Sequence, residues 1–120
     1  MGWRVRGLRR FYLMLNSSMD NHQGDKPLCN SVAIIVNYND WRLSKETALS
    51  HIENKVFEKI VIVDNNSTDN SYEELKVIRS KNVHVIKSDR NGGYGYGNNF
   101  GVLYAISQFN PEYLVIMNTD

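Results

Sequence analysis

The stretch Lys59-Ile-Val-Ile-Val-Asp-Asn-Asn-Ser-Thr-Asp-Asn-Ser71 decides the fold. Ile60 to Val63 are consecutive β-branched residues without polar alternation, the pattern of a parallel strand covered on both faces. The run closes on Asp64 and opens at once into short polar side chains that favour turns and caps. The same arrangement recurs on either side. Ser31-Val-Ala-Ile-Ile-Val-Asn-Tyr-Asn39 closes on Tyr38, and Tyr113-Leu-Val-Ile-Met-Asn-Thr-Asp120 closes on Asp120. In open α/β sheets, ligands bind in the crevice outside the carboxyl ends of the strands. An aromatic ring and carboxylates delivered to that edge suit a nucleotide and a metal ion.

Between these runs the periodicity is helical. Trp41 to Glu53 is expected to be a helix capped by Asn39 or Asp40, with Ala48, Leu49 and Ile52 inward. A short helix starts near Ser71, where Ser71-Tyr-Glu-Glu74 has the capping-box spacing and Leu75 and Ile78 face the core. Val83 to Ile86 reads as a further strand. Ser88-Asp-Arg-Asn-Gly-Gly-Tyr-Gly-Tyr-Gly97 reads as a loop, followed by a helix from Asn98 to Gln108 with Val102, Leu103 and Ile106 inward. Asn110-Pro111 ends that helix, because the residue before proline avoids helical geometry. Strands alternating with helices imply βαβ units and a parallel sheet in one α/β domain, residues 31–120.

Composition excludes several classes. With 120 residues, 42% hydrophobic and 22% charged, the chain is an ordinary globular domain, and a net charge of +1 argues against a nucleic-acid surface. A lone Cys29 allows no intrachain disulfide, and His22, His51 and His84 lack metal-ligand spacing. No apolar run reaches the ~18 residues of a membrane span. Residues 1–30 read as a disordered extension, basic at Arg4, Arg6, Arg9 and Arg10 and then polar. Its basic, aromatic start suits peripheral contact with an anionic membrane surface.

Each polar strand end has its own chemistry. Tyr38 can stack on a base, with Asn37 and Asn39 beside it. Asp64 can accept from a base N–H or a ribose hydroxyl, whereas Asp69, just before a helix, suits a cap. Gly93-Tyr-Gly-Tyr-Gly97 contains G-x-G, but Asn98 replaces the third glycine of the dinucleotide fingerprint, and the loop follows the wrong strand. What remains is exposed backbone leading into a helix N-terminus, a natural anion site.

Taken in order, these residues resemble the nucleotide-binding half of family-two glycosyltransferases. The matching segments are the strand ending in Tyr38-Asn39, Val63-Asp-Asn-Asn-Ser-Thr-Asp-Asn-Ser71, Asn91-Gly-Gly-Tyr-Gly-Tyr-Gly-Asn-Asn-Phe-Gly101, and Asn118-Thr-Asp120. The resemblance implies a Rossmann-like GT-A fold, a parallel sheet flanked by helices, here truncated after the fourth strand. It implies that Tyr38 and Asp64 embrace the base, with Asn37, Asn39, Asn66, Asn91, Gly93, Gly97, Asn98 and Asn118 also lining the nucleotide. Asp120 would hold Mg²⁺ or Mn²⁺. Asn118 stands where the D-x-D motif has its first aspartate, a departure shared with the rhamnosyltransferase-like branch that builds bacterial surface polysaccharides.

The implied reaction is inverting transfer from a TDP- or UDP-linked sugar to a glycan or lipid-linked acceptor. It would run in the cytoplasm or at the inner face of the membrane. The catalytic base is expected beyond residue 120, so the chain alone is expected not to turn over. The alternatives are a non-catalytic nucleotide-binding or scaffold module and, disfavoured by its glycine motif, a dinucleotide-dependent oxidoreductase.

Overall fold

The apolar runs form the centre of one sheet. The computed structural model describes residues 2–5, 10–14 and 29–117, with side chains from 30 to 117. In chain order the elements are β1 (Gly2–Val5), β2 (Arg10–Met14), β3 (Cys29–Asn37), α1 (Trp41–Glu53) and β4 (Lys59–Asp64). They continue as α2 (Ser71–Leu75), β5 (Val83–Lys87), α3 (Tyr94–Phe109) and β6 (Pro111–Met117). The strand order is β1-β2-β6-β3-β4-β5. β6, β3, β4 and β5 are mutually parallel, while β1 and β2 add an antiparallel hairpin against β6. The segment read from sequence as an extension thus contributes two strands, and the edge of β6 has a partner in β2.

Alternation along the strands divides the core into two layers. Ala33, Ile35, Ile60, Ile62, Val115 and Met117 pack with Ala48 of α1 and Leu75 of α2. Val32, Ile34, Val61, Val63 and Leu114 pack with Ala105 of α3. Ile34, Ile35, Ile60 and Ile62 are wholly buried. Each such side chain contributes about 1.5–3 kcal/mol by leaving water. This is the α/β, helix-flanked parallel sheet expected from the sequence.

Three local expectations need correction. Asp40 holds the N-cap position of α1, but its side chain makes no capping bond. Ser71 does not build a capping box: Asn70 is the N-cap of α2, and the Ser71 N–H donates to Asp69 Oδ1 at 2.8 Å. Asp69 therefore serves the turn before α2 and is not its cap, the structural role expected of it. Finally, α3 starts at Tyr94 rather than Asn98, so the last four residues of the glycine loop are helical.

The inward stripe of α3 also differs. Gly97, Asn98, Gly101 and Ala105 are buried, whereas Leu103 is 68% exposed and Ile106 43%. Val102 does pack against the core. Close approach explains the rotation. A Cβ on Gly101 would lie 2.6 Å from Ile34 Cγ2 and 2.8 Å from Val63 Cγ2. Small residues at i, i+4 and i+8 let the helix backbone settle on β3 and β4, and larger side chains are turned outward.

Two predictions follow from this packing and one from a half-buried imidazole. Gly101→Ala overpacks the α3 interface and lowers stability by about 1–3 kcal/mol in denaturant unfolding. Gly95→Ala, whose Cβ meets nothing within 4 Å, raises it by up to about 1 kcal/mol through helix propensity. Equal effects at the two sites would contradict the close approach. His84 of β5 lies 4.7 Å, edge-on, from the Phe109 ring, and burial lowers its pKa below 6.5, with Lys59 adding to the shift. The unfolded chain therefore binds the proton first as pH falls. This stabilisation is whole above pH 6.5 and declines below it, levelling off under the depressed value. Melting temperature should fall from pH 7.5 towards acid less steeply in His84→Gln than in the parent chain.

Candidate functional site

The two buried layers end in polar residues at the carboxyl edge of the sheet. Asn37 continues the Ala33–Ile35 parity of β3, and Asp64 continues the Ile60–Ile62 parity of β4. They are direct register partners, and both side chains face the α1 layer. Burial is nearly complete, at 1% and 0% exposure. A carboxylate so enclosed needs donors. Asp64 Oδ1 accepts from Asn37 Nδ2 at 2.9 Å and Ser67 Oγ at 2.7 Å, and Oδ2 accepts from the Ser67 N–H at 3.0 Å. The Asn37 carbonyl in turn accepts from Ser44 Oγ of α1 at 2.7 Å.

Asn39 fastens the next layer outward. Its backbone sits in the left-handed region, at φ 57°. From there Oδ1 accepts from the N–H groups of Thr68 at 2.9 Å and Asp69 at 3.2 Å, and Nδ2 donates to Thr68 Oγ1 at 3.1 Å. The Asn39 N–H donates to Ser67 Oγ at 2.9 Å. The loop after β3 and the loop after β4 are thus bonded to each other. Beside them, Asn39, Asp40, Trp41, Arg42, Asp69 and Asn70 line an open cleft of about 220 Å³.

Asn65 does the same on the α3 side. Its Nδ2 donates to Asn91 Oδ1 at 3.1 Å and to the Gly93 carbonyl at 3.0 Å, and Ser88 Oγ donates to its Oδ1 at 3.0 Å. Gly93, at φ 96°, is the N-cap of α3, a backbone conformation that glycine adopts without strain. Further along, the Tyr96 hydroxyl donates to Asp89, and this bond raises its pKa above the ordinary tyrosine value. Arg90 lies 4.7 Å over the same ring.

The residues expected at a nucleotide therefore fall into groups. Asn37, Asn39 and Asp64 share one network, while Asn91 and Gly93 are joined to it through Asn65, the neighbour of Asp64 in sequence. Tyr38, 44% exposed, and Asn66, at φ 59°, stand at the rim. Gly97 is buried, and a Cβ there would lie 2.9 Å from Val36 Cγ1, so it packs the helix on the sheet. Asn98 is 7% exposed, and its Oδ1 has no hydrogen-bond partner among the described residues. Asn118 and Asp120 lie outside the described residues. Among the described residues no group of three acidic, histidine or cysteine side chains could hold a metal ion.

Ser44, Asn65, Ser67 and Ser88 were not foreseen. Extending the strand alternation past Val36 and Val63 would have pointed Asn37 and Asp64 at α1, and Asn65 at the opposite face.

Residues 32–120 match the profile of Glycosyl transferase family 2. The chain is also 32% identical to the low-salt glycan biosynthesis hexosyltransferase Agl10 of Haloferax volcanii, across 72% of the chain and 26% of that relative. It thus spans about a quarter of that protein's length. The family match takes in β3 through β6 and every loop of the polar edge, and the chain belongs to glycosyl transferase family 2.

Proposed function

We propose that this chain forms the donor-binding part of an inverting, rhamnosyltransferase-like enzyme. The enzyme takes sugar from UDP- or TDP-sugar and transfers it to a glycan or lipid-linked acceptor in surface polysaccharide synthesis. The observation that carries the reading is the joining of three loops, after β3, β4 and β5, into one hydrogen-bonded edge by Asn37, Asn39 and Asn65. Such an edge is where open α/β sheets hold nucleotides. The relative's name, a hexosyltransferase of glycan biosynthesis, supports sugar transfer to a glycan.

The site's chemistry favours a pyrimidine. Tyr38 offers a ring for stacking at the rim. Asp64 Oδ1 already takes two donors, whereas Oδ2 takes one. A uracil or thymine base needs a single acceptor for its imide N–H; guanine presents two adjacent donors and needs both oxygens. Because Asp64 is fully enclosed, the base reaches Oδ2 only when the Ser67–Asp69 segment and Tyr38 part. The diphosphate then lies against the glycine backbone at the start of α3, and the buried Asn98 carbonyl takes a donor from the nucleotide.

Asp120 would hold Mg²⁺ or Mn²⁺ with the diphosphate oxygens, and the ion, when bound, neutralises charge on the leaving group. Among the described residues no helix is long and apolar enough to cross a membrane. We place the enzyme in the cytoplasm, with the arginine-rich start of the chain resting on the inner membrane face. The second reading is a nucleotide-binding module without transfer activity.

Calorimetric titration tests the donor site. UDP and TDP should bind more tightly with Mn²⁺, and GDP more weakly than either. Tyr38→Ala should weaken binding at least about ten-fold through lost stacking, and Asp120→Ala should abolish the metal dependence. A folded chain that binds none of the three, or binds GDP best, contradicts the assignment. Sugar transfer from a UDP- or TDP-sugar, present or absent, separates the enzyme from the module.

A further inference from the structure

The buried network ends on a helix residue whose side chain bonds neither rim nor loop, although its N–H donates to the Asp40 carbonyl at 3.2 Å. Ser44 lies in α1, is 1% exposed, and donates its hydroxyl to Asn37 Oδ1 at 2.7 Å. Donor and acceptor accounting fixes every direction in this chain of bonds. The Asp64 carboxylate only accepts, so the Asn37 amide must turn its NH₂ group towards it. The Asn37 carbonyl then faces α1, and only a donor there satisfies it. Ser44 is that donor. Without it, a buried carbonyl is left unpaired unless the amide rotates, and rotation would set carbonyl against carboxylate.

We propose that Ser44 is a positioning residue for the donor site, acting through Asn37 and Asp64 on the rim loop beside Tyr38. The path is short and continuous. Asn37 holds Oδ1 of Asp64, and Asp64 holds the Ser67 N–H and hydroxyl. The Ser67 hydroxyl receives the Asn39 N–H, and Asn39 is bonded to Thr68 and Asp69. The side chain that sets the amide thus sets the carboxylate oxygen left for the base and the shape of the loop that must part to admit it. This extends the donor-site reading above and rests on it for its functional consequence.

The test uses the 120-residue chain and UDP with Mn²⁺ as the probe. Ser44→Ala should weaken UDP binding about five- to ten-fold, the size of one lost hydrogen bond. In the ligand-free chain it should also shift the amide resonances of Ser67, Thr68 and Asp69. Ser44→Thr, which keeps the hydroxyl, should restore both. In an Asn37→Ala background, Ser44→Ala should have no further effect, because its route is gone.

Unchanged binding and unchanged loop resonances in Ser44→Ala would overturn the proposal. So would an effect that persists undiminished without the Asn37 amide. If the parent chain binds no nucleoside diphosphate, the donor-site reading fails, and the proposal fails with it as a statement about donor binding. The ligand-free resonances would then decide separately whether Ser44 sets the loop.

Discussion

A carboxylate with no access to water sits at the end of a parallel strand, and the polar edge of this protein is arranged around satisfying it. Asp64 receives Asn37, the Ser67 hydroxyl and the Ser67 N–H, and each of those donors is held by something else. Asn37 depends on Ser44, and Ser67 on its bond from Asn39. Removing Asp64 would strand the Asn37 amide and release the turn after β4 together. Burying a charge is expensive unless it is paired or fully hydrogen-bonded. Here the donors come from a strand and a loop and are themselves held by a second loop and a helix, so meeting that demand also fixes their relative geometry.

The second constraint is the close seating of α3. Gly97 and Gly101 admit Val36, Ile34 and Val63 to distances that a Cβ would violate. Glycine within a helix costs about 1 kcal/mol relative to alanine. The cost is accepted where it seats helix backbone directly on strand side chains, and it delivers the N-terminus of α3 to the same edge as Asp64. Asn65 then ties the Gly93 carbonyl to the end of β4. Strand ends and helix start are thereby held in one arrangement by groups that do not themselves need to touch a ligand.

Much of this was legible from residues alone. The short apolar runs gave strands at β3, β4 and β6, because their length, β-branched content and flanking turn residues suit parallel strands. The α1 boundaries, Trp41–Glu53, agree with the pattern of Ala48, Leu49 and Ile52. What was not legible was tertiary. Four glycines between Gly92 and Gly97 signal a loop to any local rule, yet α3 begins at Tyr94 because the sheet rewards close packing. Leu103 and Ile106 have the spacing of an inward face, and the small-residue stripe displaces them outward. At the site, Tyr38 and Asp64 could be singled out by position. The partners that orient Asp64 could not, since a serine in a helix and one asparagine of an Asn-Asn pair carry no local mark of their role.

The most direct test of the account is an amide-resolved magnetic resonance titration of the chain with UDP and Mn²⁺. The account predicts that perturbed resonances cluster at 38–40, 64–69 and 91–98, on the carboxyl edge of the sheet. Shifts confined to the opposite edge, around Ser31, Lys59 and Val83, or no shifts at saturating nucleotide, would contradict it.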